Sequence, residues 1–170
     1  MRRRRTIAAV LCAAWGIGAA ALTPAFSAEA PHEGGTEMTH AKGTFEVDVK
    51  PIPGDGMAEG LGAGRLSIHK RLVGELEGTS VGEMLASQSG TTGSAGYVAI
   101  ERMSATLEGR SGSFVLLHRG TMKKGADFKL EIVVVPDSGT DQLAGLTGSM
   151  EITIVDGAHF YDFEYSLPDP

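Results

Sequence analysis

Three features of this 170-residue chain predict an all-β fold, a single eight-stranded antiparallel β-barrel. From Gly43 onward the apolar residues recur with period two, the signature of half-buried strands. Turn signals interrupt them at the roughly 8–12-residue spacing of sandwiches and barrels. No segment after the N-terminal apolar run keeps a helical period for more than about two turns. Closure is preferred to an open sandwich because it leaves no unpaired edge. Eight strands also enclose a space that either fills with side chains or holds one small ligand.

The strands follow in order. In "TFEVDV" (44–49), Phe45, Val47 and Val49 alternate with Glu46, Asp48 and Lys50, apolar inward and charged outward. The glycine-rich "PGDGMAEGLGAG" has the composition of a phosphate-cradling loop. A strand follows it rather than a helix N-terminus, so it reads as a flexible connection. "RLSIHKRLVG" places Leu66, Ile68 and Leu72 on one face. A weakly patterned strand runs from Leu76 to about Ser87. Tyr97–Leu107 and Ser113–Met122 flank "EGRSG", and Phe128–Val135 ends at "PDSG". "TDQLAGLTG" has room for one short helical turn. "SMEITIVDG" and "HFYDFEYSL" close the chain as a hairpin around Asp156-Gly157, a dipeptide suited to positive φ.

The N-terminus carries Arg2–Arg5, an apolar run from Ile7 to Leu22, Pro24 and small residues. This is the pattern of a secretory signal peptide over residues 1–27, with cleavage expected near Ser27/Ala28. The run is rich in Ala and Gly and shorter than the ~20 strongly apolar residues of a spanning helix. The paired arginines leave the twin-arginine route open beside the general one. A secreted or periplasmic location is expected. The single cysteine, Cys12, lies inside the apolar run and is expected to leave with it, which excludes disulfide and thiolate chemistry from the mature domain. Loss of four arginines leaves 11 basic against 21 acidic residues, a net charge of −10. Such a surface argues against nucleic acid and anionic membranes as partners. Residues 28–42 form a polar leader expected to lack order, ahead of a barrel domain over 43–170. Its His32, Glu33, Glu37 and His40 do not have the spacing of a metal motif, and neither metal nor cofactor is expected.

"GRLSIHKRLVGELEGTSVGEMLA", "GSAGYVAIERMSATLEGRSGSFVLLHRG", "VVPDSGTDQLAGLTG" and "HFYDFEYSL" resemble the bacterial family of domain of unknown function 3224, over about residues 43–167. The resemblance implies an allene oxide cyclase-like barrel, an eight-stranded antiparallel fold distantly like lipocalins. It implies no activity, and the plant cyclase's chemistry does not transfer on fold alone. Barrels of this kind look oligomeric, so a homo-oligomer is expected. Two departures stand out: many members look cytoplasmic, and members often carry Gln where this chain has Leu117 before His118.

Glu101 and His118 are the chemical candidates. Residues two apart share a strand face. Glu101 therefore lies with Tyr97, Ala99, Met103 and Ala105, and His118 with Phe114, Leu116 and Met122. On neighbouring strands they form either an acid–base pair at a ligand site or a satisfied structural pair that fixes register. Tyr97 and Glu83 complete the expected ligand-binding set, although the pattern around "GEM" does not assign Glu83 a face. "GTSVG" (78–82) matches a hydrolase elbow as text but lacks the strand–turn–helix context, so it reads as hairpin turn residues. Asp137 and Asp141 in "PDSGTD" are too few for a calcium loop and read as a turn. His159 and Tyr161 share a face at the expected barrel edge or mouth. The leading expectation is a non-enzymatic binding module for a small apolar molecule. The alternatives are a cofactor-free cyclase or isomerase, and a structural or interaction protein with a solid core. The state of the barrel interior discriminates among them.

Overall fold

The computed structural model describes residues 38–54, 60, 62–126 and 128–169. The expected signal peptide, and most of the expected leader with His32, Glu33 and Glu37, lie outside them. The strands are β1 (Thr39–Ile52), β2 (Gly64–Gly74), β3 (Leu76–Gln88), β4 (Ala95–Leu107), β5 (Arg110–Met122), β6 (Lys129–Val134), β7 (Thr147–Val155) and β8 (Ala158–Ser166). Each pairs antiparallel with the next, and β8 returns to β1, closing an eight-stranded barrel. The expected helical turn is a 3-10 turn at Asp141–Leu143. The Asp156-Gly157 turn forms with φ of 50° and 82°, and Glu108-Gly109 makes a second such turn, with φ of 51° and 76°. Positive φ at both central residues matches the twist of the strands they join.

Two boundaries differ from the sequence reading. β1 begins at Thr39, four residues inside the expected leader, because β8 needs a partner: Thr39–Phe45 pair with His159–Tyr165. His40 Nδ1 lies 2.7 Å from Asp162 Oδ1, and Lys42 Nζ lies 2.9 Å from Asp162 Oδ2. Likewise "EGRSG" is mostly strand, since β5 starts at Arg110 and only Glu108 and Gly109 turn.

β6 is short and covers only Leu116–Thr121 of β5. The β6–β7 loop takes over the remaining edge of β5 with its own polar atoms. Val135 N donates to Val115 O (2.8 Å), and Thr140 N donates to Ser113 O (2.8 Å). In return, Val115 N donates to Ser138 Oγ, Ser113 N to Thr140 Oγ1 and Ser111 N to Gln142 Oε1, at 2.9–3.1 Å. "PDSGTD" is thus a turn, with positive φ at Asp137 and Asp141, whose side chains stand in for a missing strand.

The two ends of the barrel differ. At the end holding the β2–β3, β4–β5 and β6–β7 connections, Leu72, Leu76, Leu107, Leu143 and Leu146 are buried around Phe114, Phe163 and Tyr165. Phe163 stacks between Phe114 and Tyr165, with ring centroids 5.8 and 5.4 Å apart. The opposite end is not filled. There, about 860 Å³ of space opens between β1, β2, β7 and the starts of β6 and β8. β6 and β7 touch as a ladder only at Val133–Ser149, so the wall is also parted beside this space.

Tyr161 locks the packed end. Its hydroxyl donates to Leu76 O (2.9 Å) and accepts from Leu76 N (3.0 Å). Its hydroxyl end lies over Gly43 and Gly74, where a Cβ would collide with it. The Tyr161→Phe change leaves both buried Leu76 backbone groups unpaired, so it is expected to destabilise by about 1–3 kcal/mol. Urea unfolding checks this, with an unchanged dependence on denaturant concentration.

Candidate functional site

Four neighbouring strands each send one polar side chain inward to a single point. Lys70 (β2) pairs directly with Ser80 (β3), Glu101 (β4) pairs with Gly82 (β3), and His118 (β5) pairs with Ala99 (β4). These registers set Glu101 diagonal to both Ser80 and His118, within reach of long side chains. Gly82 makes the room: a Cβ there would stand 2.6 Å from Ile100 O and 3.0 Å from Glu101 Cβ.

Glu101 has no exposed surface. Lys70 Nζ donates to its Oε2 (2.8 Å), and Ser80 Oγ donates to its Oε1. His118 Nε2 lies 2.9 Å from Oε2, off the line of a well-aligned hydrogen bond. Lys70 Nζ also sits 5.2 Å from the Phe45 ring centroid, where the ring face favours a cation. Burial pushes the Glu101 carboxyl up, but His118, Lys70 and Ser80 outweigh it and hold the group down at about 2. Glu101 is therefore a fixed anion and a weak base. Its chemistry is to orient its neighbours.

Lys70 and His118 line the floor of the open-end cavity, while Glu101 lies behind them. The walls are largely apolar: Phe45, Val47, Ile68, Met84, Leu130 and Ile152 among them. Tyr97 lines the cavity too, with its ring over Gly120 and stacked 6.3 Å from Phe128. Burial, and then the charge of Glu101, raise its phenol. His159 stands at the cavity edge against Phe45, centroids 5.0 Å apart.

The structure brings Glu101, His118 and Tyr97 together. It does not bring Glu83, which lies exposed on the outer wall with its Oε1 2.5 Å from Arg65 Nε. The expectation that Glu83 reaches the interior is corrected by strand parity, since Ser80, Gly82 and Met84 take the inner face of β3. Tyr161, expected near the mouth with His159, serves the packed end instead. "GTSVG" is mid-strand rather than a turn, and its Ser80 is a donor to Glu101. Lys70 was missed by the sequence reading. Its signal was a lysine inside the Leu66–Ile68–Leu72 face of β2.

The lowered Glu101 carboxyl stabilises the fold fully above the unfolded value near 4.5, and that stabilisation is lost as pH falls toward about 2. Acid unfolding is expected to take its largest loss in this window, on the order of 3 kcal/mol at ~1.4 kcal/mol per pH unit. Glu101→Gln should be less stable at neutral pH and flatter across the window. Denaturant midpoints measured stepwise from neutral to acid pH check both.

Residues 41–165 match the family model described as "Protein of unknown function (DUF3224)". A solved structure of a DUF3224 protein of unknown function from Shewanella oneidensis MR-1 is similar, with 44% sequence identity and a TM-score of 0.70. The match covers 78% of this chain and 100% of that one. No curated protein matches. The matched span contains all eight strands but for the ends of β1 and β8, together with the Lys70–Ser80–Glu101–His118 cluster, and the chain belongs to the DUF3224 family.

Proposed function

We propose that this barrel binds one small, largely apolar molecule in its half-open cavity, with the molecule's polar end held at the floor by Lys70 and His118. One observation carries the reading: about 860 Å³ of space with apolar walls ends on a buried polar cluster. Ligand pockets have this size and character, roughly 300–1,000 Å³ and apolar with a few convergent polar groups. A solid-core structural role would need that volume filled. The arginine-led apolar N-terminus supports placing the binding outside the cytoplasm.

A second reading has its own support. His118 lines the cavity with its Nε2 2.9 Å from the ionised Glu101, which leaves Nδ1 as the ring nitrogen to face a bound molecule. A carboxylate-oriented imidazole beside a cavity can move a proton on a carbonyl compound without a cofactor. Under this reading His118→Gln keeps the ligand but ends its conversion, because an amide neither takes up nor releases a proton near neutral pH.

A neutral fluorophore that brightens in apolar surroundings, Nile red, is expected to bind saturably at one site per chain. Ile152 lines the cavity, and Ile152→Trp should abolish the signal with little change in melting temperature. A wild-type protein that leaves the dye dark, or an Ile152→Trp variant that binds it equally well, would overturn the proposal.

A further inference from the structure

The polar end of the ligand can be narrowed from the charges at the cavity floor. Glu101 is shielded from the cavity by Lys70 and His118. The groups a ligand meets are thus an ammonium and the Nδ1 edge of an imidazole. Lys70 spends one donor on Glu101 and keeps two of its three N–H groups. Glu101 and Lys70 already balance one another. An incoming anion would leave this buried site with an unmatched negative charge unless His118 gains a proton. Once protonated, Nδ1 becomes a second donor beside Lys70, and the four charges pair two against two.

We propose that the ligand is an alkyl or aryl monocarboxylic acid whose carboxylate lies between Lys70 Nζ and His118 Nδ1, and that its binding draws one proton from solvent onto His118. The assignment rests on the cavity being a binding site. The other groups near His118 do not offer a competing home for the proton. Ile132, its pairing partner on β6, is apolar. From β4 come Glu101, held as an anion, and Tyr97, whose phenol is raised. Ser80 is engaged with Glu101 from β3. Glu151 on β7 and His159 on β8 line the same cavity, but on the outer face and at the edge rather than at the floor. A phosphate would bring a second negative charge with no further cation at the floor to meet it.

Isothermal titration of the full chain with decanoate, decanol and methyl decanoate tests the assignment. Decanoate is expected to bind roughly tenfold or more tightly than the two neutral analogues, because its hydrogen bonds are charge-assisted. Its heat should differ between phosphate and Tris buffers by the amount that marks uptake of about one proton. Its affinity should fall as pH rises, because the bound state carries the extra proton, while that of decanol stays level. His118→Gln should keep decanol binding and lose both the proton uptake and most of the preference. The wild-type pH series carries the test even if that variant is unstable. Equal affinity for decanol and decanoate, or decanoate binding without proton uptake, overturns the carboxylate assignment and leaves the cavity reading standing. Failure of all three compounds and of Nile red overturns both.

Discussion

Everything at the open end of this barrel depends on one buried negative charge. A carboxylate out of contact with water is tolerated only when donors surround it. Glu101 draws its partners from three strands besides its own: Lys70 from β2 and Ser80 from β3 donate to it, and His118 Nε2 from β5 lies 2.9 Å away. The requirement fixes geometry as well as charge. Side chains alternate along a strand, so a one-residue slip of β2, β3 or β5 would turn its contribution to the outer wall. Apolar residues alone would fix this register weakly here, since the outer wall also carries Val81, Val98, Ile100 and Leu117, each more than 40% exposed. The polar cluster has only one compatible pairing.

The packed end places a second set of constraints, made of rings and leucines. Tyr161, Phe163 and Tyr165 project inward from β8, and Phe114 from β5 meets them. Room for Tyr161 comes from glycines on neighbouring strands, Gly43 on β1 and Gly74 on β2. The 3-10 turn then caps the end with Leu143 and Leu146. This end can hold the barrel closed while the other stays partly empty. The packed core and the open space are thus separated along the barrel axis.

That separation explains what could be read in the sequence. The strands, the Asp156-Gly157 turn and the shared facing of Glu101 and His118 follow from period-two alternation, a local property. Where alternation is muted, the reading slipped. "THAK" is polar with only Ala41 facing inward, because Tyr161 fills the space above the start of β1. "RSG" hides the start of β5 because its inner residue, Gly112, yields room to Leu143. Lys70 lies 31 residues from Glu101, and only the register of three strands joins them. Glu83 could not be placed because apolar residues occur on both faces of β3, Val81 outside and Met84 inside. Periodicity also reports which side chains point inward and not whether they meet, so the cavity was not legible as a volume.

The cavity is nevertheless written in the residue sizes. Inward positions at the packed end are Phe114, Tyr161, Phe163, Tyr165 and five leucines. Toward the open end, Val47, Val49, Ile68 and Ile152 line the cavity beside the larger Met84, Tyr97 and Leu130. Unfilled apolar volume weakens a core in proportion to its size, and larger side chains at such sites are among the common routes to added stability. The chain thus fills one end of the barrel with rings and leaves the other half-open above a buried charge, the arrangement on which the proposed ligand site rests.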